Sequence, residues 1–346
     1  MPSAVSSALR SLEPLATSIL GSRLAVGLAR GWRRRGYAVL CYHRVRDPSV
    51  FDDPTLVISP ARFRQHVELL SRHAQVVGLD GLLSAGSAAG ERRVVITFDD
   101  GYRELLEDAL PALAEHGCPS VLYCCSDVVA GERALWWDRL EASVRAAPTG
   151  SVDLRARDGT GLRLRLDGEA ARAVALERLR GHCTLEPDPR TAAENLLDQL
   201  PEAELPRDLY LDPGGLAAAE ALGAEIGSHS RRHSRLGALP PAELDEELSA
   251  SRAALDAWVS RPIRSVAYPH GDPSSVSEGV FAAARNAGYE TGFTIRPALA
   301  RATDDPLAIP RITMYANDTV RRCAAKALGA LPGVYDWAYR RAGMPR

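Results

Sequence analysis

Val94-Val95-Ile96-Thr97-Phe98-Asp99-Asp100-Gly101-Tyr102 is the stretch whose reading decides the fold. Its first five residues are apolar or β-branched and read as a buried strand. The strand runs straight into two carboxylates and a glycine. Gly101 lets the chain turn, so both acids can reach one pocket instead of opposite faces. One acid as metal ligand and its neighbour as base would use such a pair. An Asp-Gly turn with solvated acids would account for the same residues by structure alone.

Working outward, strands and helices alternate on both sides. Ala38 to Tyr42 reads as a short buried strand ending at His43-Arg44-Val45. Arg62 to His73 reads as a helix with Phe63, His66, Val67 and Leu70 on one face, capped by Ser59 and Pro60. After the central stretch come a helix from about Arg103 to Glu115 and a strand from Ser120 to Cys124. Further on, helices are expected from about Gly215 to Leu222, Pro241 to Val259 and Ser277 to Ala287. Strands are expected at Ala224–Ile226, Ser265–Tyr268 and Thr291–Ile295. This alternation predicts a parallel sheet. Residues 133–215 break the rhythm. Two alternating runs, at 152–157 and 162–166, flank Asp158-Gly159-Thr160-Gly161 and predict a hairpin, followed by a helix from about Glu169 to Arg180. The block reads as an insertion into one barrel domain spanning 36–315. An amphipathic segment at 1–35 and a helical, basic tail at 316–346 flank it.

Polar clusters stand at three predicted strand ends, the edge where parallel α/β folds build their sites. The first is the acid pair. The second is His229-Ser230-Arg231-Arg232-His233, in which histidines at i and i+4 can grip one divalent ion from a helical turn. Together Asp100, His229 and His233 make a two-histidine, one-carboxylate set with room for water, as a hydrolytic metal requires. The third is Tyr268-Pro269-His270-Gly271, placed to line a pocket and to offer a backbone N–H to an oxyanion.

The run T-F-D-D-G-Y, then H-S-x-x-H-S, then A-Y-P-x-G, in that order, resembles the NodB-homology polysaccharide deacetylases (carbohydrate esterase family four). The opening A-V-L-C-Y-H-R-V and Trp136-Trp137-Asp138 resemble the exopolysaccharide-associated branch. The resemblance spans residues 36–315. It implies a deformed (β/α) barrel of about seven parallel strands, a divalent metal, most often zinc, and removal of acetyl groups from glycans. By that resemblance Asp100, His229 and His233 match the metal ligands and Asp99 the catalytic base. His270 occupies the position of the usual motif tyrosine, whose main-chain N–H helps hold the oxyanion, and Tyr268 belongs to the same motif. Two departures stand out. The motif arginine that orients the base is Ala267 here, with Arg264 as a candidate stand-in. No histidine follows His270 to serve as the acid, and Ile309-Pro310-Arg311-Ile312 stands where one is expected. In circularly permuted members of the branch the acid lies on the first strand, and His43 fits that place. Trp136 and Trp137 are candidates to stack on sugar rings or to anchor the insertion.

Composition bounds these readings without choosing among them. The 346 residues include 42 basic and 44 acidic ones, a net charge of -2, so no global field favours nucleic acid. Lys326 is the only lysine, and the arginine excess reads as codon bias. The six cysteines form no C-x-x-C pair and fit free thiols. With no recognisable signal at the N-terminus, the expected location is the cytoplasm. The apolar spacing before Arg30 and the arginines at 30–35 leave a peripheral contact with the inner membrane face open. The leading reading is therefore an N-deacetylase of a polysaccharide or lipid-linked saccharide. An O-acetyl esterase of the same family and a non-catalytic glycan-binding relative are the alternatives.

Overall fold

The computed structural model describes residues 36–53, 56–83 and 93–327. The expectations for 1–35, and for the tail beyond 327, lie outside the described residues. Nine strands form one sheet: β1 (Ala38–Tyr42), β2 (Gln75–Val76), β3 (Arg93–Phe98), β4 (Ser120–Cys124), β5 (Ala224–Ser228), β6 (Ser265–Ala267), β7 (Thr291–Thr294), β8 (Ile309–Pro310) and β9 (Ile312–Thr313). The order is β8-β7-β6-β5-β4-β3-β1-β9, with β2 also on β3, and every pairing is parallel. The two ends of this order, β8 and β9, are consecutive in the chain and separated only by Arg311. The sheet therefore curls into a nearly closed barrel whose seam is that one residue. The expected barrel is present, with more strands than the seven anticipated. The extra ones are two residues long, too short to leave a periodic signal.

Strand alternation sorts the side chains. Leu40 and Tyr42 of β1, with Val94, Ile96 and Phe98 of β3, pack outward on the helices in the main apolar cluster. Val39, Val95, Val121, Tyr123, Ala267, Phe293 and Ile309 form a second, inward cluster. Each fully buried leucine or isoleucine contributes roughly 1.5–3 kcal/mol. The outer layer behaves as the sequence predicts. The helix Pro60–His73 buries Phe63, His66, Val67 and Leu70, and Ser59 accepts from the Arg62 N–H as its cap. The single helix expected from Arg103 to Glu115 is instead a 3-10 turn (Arg103–Leu106) followed by an α-helix (Ala109–Glu115).

The block at 133–215 contains the predicted hairpin, Ser151–Arg155 against Gly161–Arg165. Helices Trp136–Ala146, Glu169–Leu185 and Pro189–Leu197 pack with it around an apolar cluster of their own, which includes Trp136, Leu140, Leu164, Leu179 and Leu196. Among the described residues no helix is long and apolar enough to cross a membrane.

Candidate active site

Three loops at the carboxyl ends of β3, β5 and β6 meet at the mouth of the barrel. The first turns sharply. Asp100 and Gly101 both adopt left-handed backbone, with φ of 75° and 74°. Glycine suits the left-handed backbone at 101, where a Cβ would also crowd the Cys124 sulfur at 3.1 Å. Asp99 points into the barrel, following Val95 and Thr97, while the turn brings Asp100 across to the loop after β5.

That second loop is not the helical turn the i, i+4 spacing suggested. Ser230 and His233 are left-handed (φ 63° and 57°), and the segment is a compact turn. Backbone bonds zip it to the end of β4: the His229 N–H donates to Cys124 O (2.8 Å), and the Asp127 N–H donates to Arg231 O (3.1 Å). Glu247, fully buried on the helix Pro241–Asp256, accepts from the N–H groups of Arg231 (3.1 Å) and Arg232 (3.0 Å) and from the Arg232 side chain. Two histidines converge as a result. Asp100 Oδ1 lies 3.6 Å from His229 Nε2 and 3.5 Å from His233 Nε2.

These three side chains fit a metal. The contacts are too long for hydrogen bonds, yet the donor atoms all lie within 4.8 Å of one another. Ligands about 2.0–2.1 Å from a tetrahedral ion sit about 3.3–3.5 Å apart. Asp100 Oδ1 is buried with no hydrogen-bond partner, a costly state for a carboxylate unless a cation completes it. His229 Nδ1 is 2.7 Å from Ala267 O; donation there fixes the tautomer that leaves Nε2 with a free lone pair. Burial lowers the pKa of both histidines, so they stay neutral, the form that ligates. Burial, with Asp99 adding, pushes the Asp100 pKa well up.

Asp99 has different company. Arg311 donates from Nη1 to Oδ1 (2.6 Å) and from Nη2 to Oδ2 (2.7 Å), a bidentate pair closed off from solvent. The Cys41 thiol donates to Oδ2 at 3.4 Å. Burial alone would raise the Asp99 carboxyl; Arg311, with His229 and His43 adding, overrides it and holds the group well below the usual carboxylate range. The arginine on Asp99 is thus Arg311, in the seam, and not Arg264. Arg264 lies outside the site, paired with Asp80 (2.6 Å) and Glu290 (2.9 Å). Sequence reasoning missed Arg311. Its one signal was a lone charge inside the apolar run Ile309-Pro310-Arg311-Ile312.

His43 follows β1 and lies on the same inward face as Cys41. Its ring, Cys41 Sγ and an Asp99 oxygen all lie within 4.8 Å of one another. Burial lowers its pKa to about 4, against the pull of Asp99. His270 has φ 62° and stacks edge-on against His233, with ring centroids 5.0 Å apart. Tyr268 does not reach the site. It is fully buried in the outer core, donates to Leu307 O (2.9 Å) and packs on Phe281. Strand alternation sends it to the face opposite Ala267.

The aromatic on the metal set is Trp137, whose ring centroid is 4.8 Å from that of His233. Its Nε1 donates to Tyr102 Oη (2.8 Å), and Tyr102 donates to Asp138 (2.9 Å), which Tyr210 also bonds. Arg44 ties this network to Glu104 through bonds of 2.9 and 2.7 Å. Trp136 points instead into the insertion's apolar cluster and lines a cleft of about 620 Å³ that reaches His233.

A family profile described as polysaccharide deacetylase matches residues 86–152 and 187–292, half of the chain. No curated protein matches by sequence. Among solved structures, the chain is similar to the Streptococcus pyogenes deacetylase PplD in complex with acetate (TM-score 0.58, 14% identity, covering 84% of this chain and 98% of that one). It is similar also to IcaB from Ammonifex degensii (TM-score 0.54, 18% identity, 86% and 99%). A third likeness is to a de-N-acetylase from Aggregatibacter actinomycetemcomitans (TM-score 0.53, 16% identity, 84% and 99%). At these identities the likeness is one of fold.

Proposed function

This chain belongs to the polysaccharide deacetylase family, and from that premise we propose that it is a metal-dependent hydrolase that removes N-acetyl groups from a glycan. The observation that carries the reading is the division of labour between adjacent acids: Asp100 faces two neutral histidines, and Asp99 faces an arginine. The name of one structural neighbour, a de-N-acetylase, supports an amide rather than an ester substrate.

In this mechanism Asp100, His229 and His233 would hold the cation, for which we propose zinc. Such an ion, when bound, acidifies a water molecule and polarises a carbonyl oxygen. Asp99, kept ionised by Arg311, takes the proton from the attacking water. The backbone N–H of His270, after Pro269, is the candidate donor to the oxyanion that develops on the acetyl carbonyl oxygen. An amine leaves only when protonated, and His43, neutral at rest and close to Asp99, is the candidate to take up the proton that Asp99 removes from the water and pass it to the leaving nitrogen. Trp137 shields His233 from bulk water and strengthens the electrostatic contacts within the site.

Asp99→Asn is the direct test. With zinc content measured alongside, the variant is expected to keep the metal and to lose about 10²–10⁴-fold in acetate release from N-acetylated oligosaccharides. Turnover at the wild-type rate would remove Asp99 from the mechanism. Faster acetate release from O-acetylated than from N-acetylated oligosaccharides would favour an esterase instead.

A further inference from the structure

The cleft that reaches the metal set from the side of the insertion is lined by more positive charge than its own acids answer. Arg133, Arg139, Arg190, Arg207 and Arg232 all line it. Three of these pair with carboxylates of the protein: Arg139 with Glu194, Arg232 with Glu247, and Arg133 with Asp127 at 3.7 Å. The other two are uncommitted. Arg190 is half-buried, and its Nε is buried without a hydrogen-bond partner. Arg207 is exposed and makes no ion pair among the described residues. Of the acids on the wall, Glu194 is taken by Arg139. Asp212 caps a helix by accepting from the Gly215 N–H (2.7 Å) and lies 3.5 Å from Arg103. Of these acids only Glu132, exposed, makes no side-chain pair among the described residues.

A guanidinium with no carboxylate partner can take its acceptors from a ligand in the cleft. Two such guanidinium groups lining one cleft suit a carboxylate or a phosphate, whose oxygens accept pairs of parallel N–H bonds. The edge of Trp136 and the half-buried Tyr210 line the same cleft. His233 is part of the lining, so a chain lying in the cleft ends at the metal set. The volume, about 620 Å³, falls within the range of about 300–1,000 Å³ typical of small-molecule sites.

We propose that the substrate is an acidic glycan, with Arg190 and Arg207 binding an anionic group on the chain beside the acetylated sugar. This rests on the deacetylase reading and names its substrate class. The anion is a uronate carboxylate of the glycan or the phosphate that links a saccharide to a lipid carrier.

The test compares three probes on the zinc-loaded full chain. Chitohexaose is neutral, a hyaluronan hexasaccharide carries carboxylates, and a diacetylchitobiosyl diphosphate with a short prenyl tail carries phosphates. One charged probe is expected to exceed chitohexaose in kcat/KM by about tenfold or more, the scale of a charge-assisted pair. Which probe wins identifies the source of the anion. Added salt is expected to shrink the advantage. In Arg190→Gln/Arg207→Gln the charged-to-neutral ratio is expected to fall towards one. Arg163→Gln, on the exposed hairpin, is expected to leave the ratio as it is. Equal kcat/KM for charged and neutral probes, or a ratio untouched by the double variant, overturns the proposal. If no probe releases acetate, the deacetylase reading fails by itself. Calorimetric binding then decides the subsite: tighter binding of a charged probe that disappears in the double variant supports it, and equal binding of all three overturns it.

Discussion

Arg311 and Asp99 form a two-point ion pair closed off from solvent at the seam of the barrel. Arg311→Gln removes the cation that counters burial. The Asp99 pKa is then expected to rise, and the acid limb of the kcat/KM profile to move to higher pH by at least about one unit. Removing one partner of a buried pair costs about 3–5 kcal/mol, which a urea melt would show. An unmoved acid limb would mean that Asp99 is not the group that titrates there. In the wild type the depressed Asp99 value keeps the pair intact through neutral and mildly acidic pH. Its contribution to stability is lost only as pH falls below the ordinary carboxylate range. At this scale the acid pair, both histidines of the metal set and His43 were legible, because each lies in a short motif at a strand end. Arg311 was not, since its partner is more than two hundred residues away. Tyr268 was misread because the motif marked the loop and not the face on which the ring lies.

Among elements, the helix Pro241–Asp256 shapes the metal set without contributing a ligand. Its buried Glu247 gathers two backbone N–H groups and one guanidinium from the loop that carries His229 and His233. Glu247→Ala leaves those donors unpaired and frees the loop to sample other turns. Zinc affinity, measured by chelator competition, is expected to fall about 10–100-fold, as for other groups that orient metal ligands. An unchanged affinity would show that the zipper to the end of β4 suffices. The i, i+4 spacing found the right histidines for an incomplete reason. They converge because two left-handed residues fold the loop, not because a helix carries them. Left-handed residues other than glycine cost about 1–2 kcal/mol each, and no periodicity in the sequence announces them.

Across the whole molecule, the barrel holds several imidazoles in their neutral form. Burial takes His43, His66 and His270 to about 4 and also lowers His229 and His233. An unfolded chain protonates its histidines near pH 6.5, so between about 6.5 and 4 the unfolded state binds more protons. Stability is therefore expected to fall as pH falls through that window, by up to about 1 kcal/mol per pH unit for each such histidine. Thermal melts of the metal-free protein at pH 7, 6 and 5 would show a steady decline. Melts with zinc at pH 7 are expected to lie higher, since a ligand held at 1,000 times its Kd adds about 4 kcal/mol. A flat pH dependence would mean that these rings remain open to water.

The sequence by itself determined the parallel alternation, the polar clusters at three strand ends and the hairpin within 133–215. These follow from local properties: apolar periodicity, turn residues and short motifs. Only the tertiary structure decided which arginine holds Asp99, which tryptophan covers His233 and which face Tyr268 takes. Those outcomes depend on closure of the sheet at Arg311 and on the packing of the insertion against the barrel mouth. Each joins residues far apart in the chain, and no local pattern records that distance.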